Sequence, residues 1–205
     1  MVMRRKLFLF IIVFLPVVVY AQSYEDSLLQ FREEYKASLL RGPHPLKPAD
    51  TGYLRFYEPD YDYCVKATFV QVTGTKPFLM KTMHGGNNPA VREYGIVYFN
   101  LKGGTVTLHI YRLLTKPEDN TDESIRLFIP FTDNTNYKET FGGGRYLDVS
   151  AEDLLKGNVI IDFNKAYNPH TAYEKGYPYI MPPNANYLLI DIKAGEKIFG
   201  HNPGY

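Results

Sequence analysis

Hydrophobic and polar positions divide the chain into three stretches with different periods. The first is a solid apolar block. Arg4, Arg5 and Lys6 precede Leu7 to Tyr20, which is almost wholly apolar. Fourteen such residues fall short of the roughly 20 that span a bilayer as a helix. The block ends at Val19-Tyr20-Ala21, with a small residue where a signal peptidase needs one, so residues 1–21 are expected to be a signal peptide cut after Ala21. The second stretch has helical spacing: Tyr24, Leu28, Phe31, Tyr35 and Leu39 share one face. Ser23 is its expected cap, and Gly42-Pro43 its stop. From residue 53 the period falls to two. Alternating β-branched and aromatic runs predict strands at 53–57, 62–72, 77–83, 91–100, 105–114, 125–131, 158–163 and 186–193.

Pro, Gly, Asn and Asp clusters separate these runs. Asn100-Leu101-Lys102-Gly103-Gly104 reads as a hairpin turn. A short helix is expected at 151–156, with Ser150 capping, Asp153 at the reciprocal position and Gly157 closing. Helices and strands do not alternate, so a parallel βαβ sheet is not expected. The reading is a mainly β protein: one antiparallel β-barrel or β-sandwich domain at 46–205, with an N-terminal helix and linker at 22–45 packing on it.

Charge narrows the partners. The signal takes three of the 23 basic residues and none of the 22 acidic ones, so the mature chain carries 20 against 22, about −2. Nothing in that balance draws nucleic acid or an anionic membrane surface, and no later run is long enough to span a bilayer. Cys64 is the sole cysteine. Export leads to a disulfide-permissive compartment, periplasmic or extracellular, yet no internal disulfide can form. Cys64 lies on the polar face of its run with no neighbouring base, which reads as structural.

The C-terminal half carries an ordered string: Ile129-Pro130-Phe131-Thr132-Asp133, Glu139 to Asp148 with Phe141-Gly142-Gly143-Gly144-Arg145 inside it, Ile161 to Pro169, Pro182 to Asn186, and Ala194-Gly195-Glu196-Lys197. This string resembles the bacterial domain-of-unknown-function 1684 family, and the likeness extends from Phe31-Arg32-Glu33-Glu34 to Phe199. It implies an exported protein and brings no activity. Similar sequences usually carry Cys at the position of Thr171 and near Tyr179, and this chain has neither. That loss argues against thiol or thiolate-metal chemistry.

Candidate site residues are Arg145, Asp162, Asn164, Tyr167, Asn168 and Glu196. Arg145 and the glycines before it suit an anion, or else a close approach of two strands. Asp162 and Asn164 share a strand face, and Tyr167, Asn168 and His170 follow at its exit. Asp162, in an apolar run, is expected to pair with Arg145. His44, His84, His109, His170 and His201 show no metal-ligand spacing, His109 reads as an ordinary surface residue, and no Gly-x-Ser-x-Gly elbow occurs. No cofactor motif is present. The 18 tyrosines and 13 phenylalanines, with no tryptophan, suit either a sheet surface or a binding groove. Three functions stay open: a non-catalytic envelope module binding a small molecule, glycan or protein, a hydrolase using Asp162 or Glu196 as base with Arg145 as clamp, and a structural partner in an envelope assembly.

Overall fold

A computed structural model describes residues 15–41, 46–86, 88–114, 126–157 and 159–200, with side chains from Ser23 onward. The expected stop at Gly42-Pro43, His44 and His201 fall outside these residues. The domain is mainly β. Helix α1, Leu15–Leu39, precedes strands β1 (Cys64–Gln71), β2 (Phe78–Leu79), β3 (Thr82–Met83), β4 (Ala90–Leu101), β5 (Gly104–Leu113), β6 (Arg126–Asp133) and β7 (Arg145–Val149). Helix α2, Ala151–Lys156, then leads into β8 (Val159–Asp162), β9 (Tyr179–Ile180) and β10 (Tyr187–Leu188). The main sheet runs β10-β6-β5-β4-β1-β8, with β7 also on β6 and β2 on β4. Among the described strands, β10 alone pairs in parallel. The sheet curls into a half-barrel, which decides between the barrel and sandwich readings.

The strongest strand predictions hold because their alternation is real burial. On β4, Val97, Phe99 and Leu101 are buried while Tyr98 and Asn100 are exposed. A bulge between Glu93 and Gly95 shifts that register, and Gly95 packs under the Phe69 ring, where a Cβ would sit 2.2 Å from it. The β4–β5 hairpin turns at Lys102 and Gly103, both at positive φ (49° and 82°), the backbone of a two-residue hairpin loop. α2 is capped as expected. Ser150 Oγ accepts from Asp153 N, and Gly157 closes it at φ 75°.

Elsewhere tertiary context overrides the pattern. Residues 48–53 form a 3-10 helix, and Phe56 only bridges Glu196. The 77–83 run splits into β2 and β3, and 186–193 keeps only β10 before continuing as irregular chain. β7 has no counterpart among the predicted strands, because three glycines precede it and its first three residues are all buried, which leaves no alternation to read. Ser23 caps nothing, since α1 already runs through it from Leu15.

Three apolar clusters support the fold. The half-barrel's inner core includes Val97, Leu108, Ile110, Leu127, Ile129, Phe131, Ile161 and Phe163. A smaller one joins Met80, Val91, Tyr111 and Phe128. The third seats the end of α1, with Leu39 against Leu46 and Leu54 and with Tyr35, Phe56, Tyr173 and Phe199 around them. β7 and β8 pair only with β6 and β1 respectively, apart from a bridge between Tyr146 and Tyr167. The seam between them lies beside α1.

Candidate functional site

The six candidates fall into four environments. Arg145 opens β7 opposite Phe131, so Asp133, two residues further along β6, shares the face towards which it points. Its Nη2 donates to Asp133 Oδ2 (2.8 Å) and Ile192 O (2.9 Å), and its Nη1 to Ala194 O (2.5 Å). Asp133 Oδ1 accepts from Thr135 N, Thr135 Oγ1 and Ile192 N. Both charged side chains have no exposed area. The expected Arg145–Asp162 pair is therefore absent. Arg145 turns into the core, where its fork ties β6 to the 192–196 segment.

The three glycines before Arg145 are packing residues. A Cβ at Gly142 would meet the Tyr137 ring at 2.3 Å, one at Gly143 the Phe141 ring at 2.4 Å, and one at Gly144 the backbone oxygen of Phe131 at 2.6 Å. Gly144 N donates to Phe141 O. The close-approach reading of this motif is the one that fits.

Asp162 ends β8 facing α1 instead. Its Oδ1 accepts from Tyr24 OH (2.9 Å), Asn164 N (3.1 Å) and Asn164 Nδ2 (3.0 Å). Asn164 Oδ1 accepts from Asp60 N, and its Nδ2 also reaches Asp60 O. The two residues thus pin the helix and the 60s loop to the sheet's edge. Burial and the neighbouring Asp162 carboxylate push the Tyr24 hydroxyl well up. Burial also pushes the nearby Cys64 thiol up to about 11, which leaves it protonated and unreactive at neutral pH.

Glu196 and Asn168 form the third group. Glu196 is fully buried. Its Oε2 accepts from Asn168 N (2.8 Å), Tyr173 OH (2.9 Å) and Tyr35 OH (3.1 Å). Desolvation raises its carboxyl to about 7, outweighing four hydrogen bonds that favour the charge. Asn168 is 1 % exposed, and its Nδ2 donates to Lys197 O (2.8 Å). Its Oδ1 has no donor among the described residues.

Tyr167 lines two of the hollows in this region. It lies between Tyr35 and Tyr146, ring centroids 5.9 and 5.8 Å away. Its hydroxyl donates to Asp148 Oδ1 (2.8 Å) and accepts from Arg126 Nη2 (3.1 Å). Two hollows meet at it and a third adjoins them. A pocket of about 200 Å³ is lined by Phe128, Tyr146, Asn168, Pro178, Tyr179 and Ile180, among others. It shares Arg126 and Tyr167 with a second, of about 370 Å³, beside Tyr35 and Ser38 of α1. That one shares Phe31, Asp148 and Lys165 with a cleft of about 640 Å³ at the β7–β8 seam, floored by Cys64, Ile161 and Asp162 and roofed by Tyr24, Ser27 and Tyr61. The shared residues make one groove running beneath α1. Lys165 Nζ stands 5.4 Å from the Phe31 ring centroid within it.

Nothing in the sequence pattern marks Tyr24, Tyr35, Arg126, Asp148, Tyr146 or Tyr179 as groove residues. The tyrosine excess is their signal, but it carries no address. His109 is not an ordinary surface residue, because its Nδ1 contacts Glu93 Oε1 at 2.5 Å across the β4–β5 pair. No group of three His, Cys, Asp or Glu side chains able to hold a metal occurs among the described residues.

Comparison with known proteins adds the family. The model for proteins of unknown function DUF1684 matches residues 52–197. The chain belongs to the DUF1684 family. The matched span includes every candidate residue and begins after α1. The solution NMR structure of an uncharacterized protein from gene locus rrnAC0354 of Haloarcula marismortui is similar to this chain at 28 % identity and TM-score 0.66, covering 86 % of this chain and 95 % of that one. Among curated proteins nothing matches.

Proposed function

We propose that this protein is an exported, non-catalytic binding module that holds a small or extended polar ligand in the groove beneath α1. The observation that carries the reading is the make-up of the groove. Aromatic side chains (Phe31, Tyr35, Tyr146, Tyr167) line it together with exposed polar groups from Arg126, Asp148 and Lys165. Apolar walls with a few directed polar groups are the usual composition of a ligand site. The hydrolase reading has less behind it. Glu196 is sealed away and lines none of the three hollows, and Asp162, which floors the seam cleft, already has its Oδ1 held by three donor contacts. A general base must reach the proton it takes. Export rests on the leader pattern of residues 1–21.

Native mass spectrometry of protein recovered from the exporting host tests the reading. A co-purified mass should appear on the wild type and be lost in Arg126→Ala, whose fold should persist because that side chain is more than half exposed. Ligand retained undiminished by Arg126→Ala would place binding elsewhere. Turnover that survives Arg126→Ala and vanishes in Asp162→Asn would restore the enzyme.

A further inference from the structure

We infer that the small pocket at the end of the groove is a subsite for one neutral saccharide ring, with Asn168 Oδ1 as its hydroxyl acceptor. The inference rests on the groove reading above and names the ligand class at one end of it.

One wall of the pocket holds an unbalanced polar group. Asn168 is almost wholly buried and lines this pocket, yet its carbonyl oxygen has no donor among the described residues. Buried polar atoms are nearly always satisfied, so an orphan at a pocket wall marks where a ligand's donor belongs. The orientation of the amide is fixed from behind, because Nδ2 donates to Lys197 O, and the neighbouring backbone N–H is held by Glu196. The amide is thus held by a rigid support, as a specificity group should be.

The rest of the lining selects the ligand's shape and charge. Tyr146, Tyr167, Tyr179 and Phe128 supply aromatic surface, the Tyr146 ring standing edge-on to both Phe128 (82°) and Tyr167 (80°). At about 200 Å³ the pocket is below the roughly 300–1,000 Å³ of drug-sized sites and has room for a single ring. An organic cation would meet Arg126 in the wall. A carboxylate would have to compete for that guanidinium with Asp148 (3.7 Å) and the Tyr167 hydroxyl (3.1 Å). A neutral pyranose meets every condition. One hydroxyl donates to Asn168 Oδ1, another oxygen accepts from Arg126, and the C–H face of the ring lies on tyrosine. Because this pocket shares Arg126 and Tyr167 with the next hollow, the ring can be the end unit of a chain extending under α1.

The test is an NMR titration of the labelled full-length mature protein with methyl β-glucopyranoside, N-acetylglucosamine and chitotriose, with adenosine and benzoate as competitors of other classes. Expected are saturable shifts of the Asn168 side-chain amide and the Tyr179 backbone amide with at least one saccharide, at a Kd of about 1 mM or tighter. Tyr179→Ala, at the half-exposed lip of the pocket, should weaken that binding about tenfold with the fold intact. Asn168→Ala should abolish it, and since that variant also loses the Lys197 contact, Tyr179→Ala is the decisive one. No saccharide shift at any of these amides, or stronger binding of adenosine or benzoate there, overturns the inference. If native mass spectrometry then still finds a ligand dependent on Arg126, the groove reading stands without this subsite.

Discussion

Arg145 and Glu196 carry the two most consequential buried charges, and neither role is visible in one dimension. Nothing in the sequence says that Arg145 pairs with Asp133, twelve residues earlier, because the choice depends on β6–β7 register. Arg145 does need a carboxylate, and the fold supplies Asp133 where the sequence pattern points to Asp162. Arg145→Met should destabilise the protein by about 3–5 kcal/mol by stranding Asp133, whereas Arg145→Met on an Asp162→Asn background should simply add the two effects. Denaturant melts of the singles and the double decide this, and a coupling above about 0.5 kcal/mol would reinstate the 145–162 pair. Glu196 yields a pH prediction. Its folded pKa, about 7, lies above the ordinary 4.5, so between these values the native state holds the extra proton and stability falls as pH rises. The contribution is complete below about pH 4.5 and gone once pH passes through about 7, each tenfold change in proton affinity being worth about 1.4 kcal/mol. Glu196→Gln should flatten stability over that window. An unchanged slope in the variant would assign the dependence to other groups. At Gly144, φ is 90° and any Cβ meets backbone, so Gly144→Ala should cost at least about 2 kcal/mol. A midpoint within error of wild type would refute the close packing.

At the scale of elements, legibility follows how much of the signal is local. The β4–β5 hairpin and α2 are readable because turn residues and caps act within four positions, and their burial alternates as the period demands. β7 is hidden because its neighbours are glycines and its burial (Arg145, Tyr146 and Leu147 all buried) does not alternate. The groove is equally hidden, since it is assembled from α1, β6, β7 and the loop after β8, far apart in sequence. α1 shows how an amphipathic stripe gains a specific seat. Its apolar face is expected to pack on the domain, and Leu28 and Leu39 are 1 % and 3 % exposed. Between them Arg32, a residue the stripe marks as polar, is buried. Its Nη2 donates to Tyr57 O (2.8 Å), and the guanidinium stands over the Phe56 ring at 4.9 Å. Arg32→Ala should therefore cost about 2 kcal/mol, and Arg32→Met clearly less, because the apolar stem still covers Phe56. Equal losses in thermal melts would show that the hydrogen bond, not the packing, holds this turn.

For the whole molecule, the half-barrel leaves β7 and β8 without a common partner, and α1 lies along that seam. A sheet edge left open to solvent invites pairing with other chains, and covering it with a helix is a standard solution. The described contacts that seat the helix recur as Tyr24, Leu28, Arg32, Tyr35 and Leu39, one face in steps of three or four residues. All lie beyond Ala21. Cleavage there would leave the whole face on the mature chain, so protein beginning at Gln22 should fold with every one of these contacts. N-terminal mass analysis of exported material should find Gln22 first, and retention of residues 1–21 would overturn the leader reading. A chain beginning at Pro48 should behave differently. It loses the burial of Leu28 and Leu39, each worth about 1.5–3 kcal/mol. It also leaves Asp162 without Tyr24 and the sealed Glu196 without Tyr35. Together these approach the roughly 5–15 kcal/mol by which domains of this size are stable. The shorter chain should thus melt at much lower denaturant, with a broadened transition, and bind no ligand in the groove. If it instead unfolds at the same midpoint as the chain from Gln22, α1 is an appendage and the groove beneath it loses its roof and its significance.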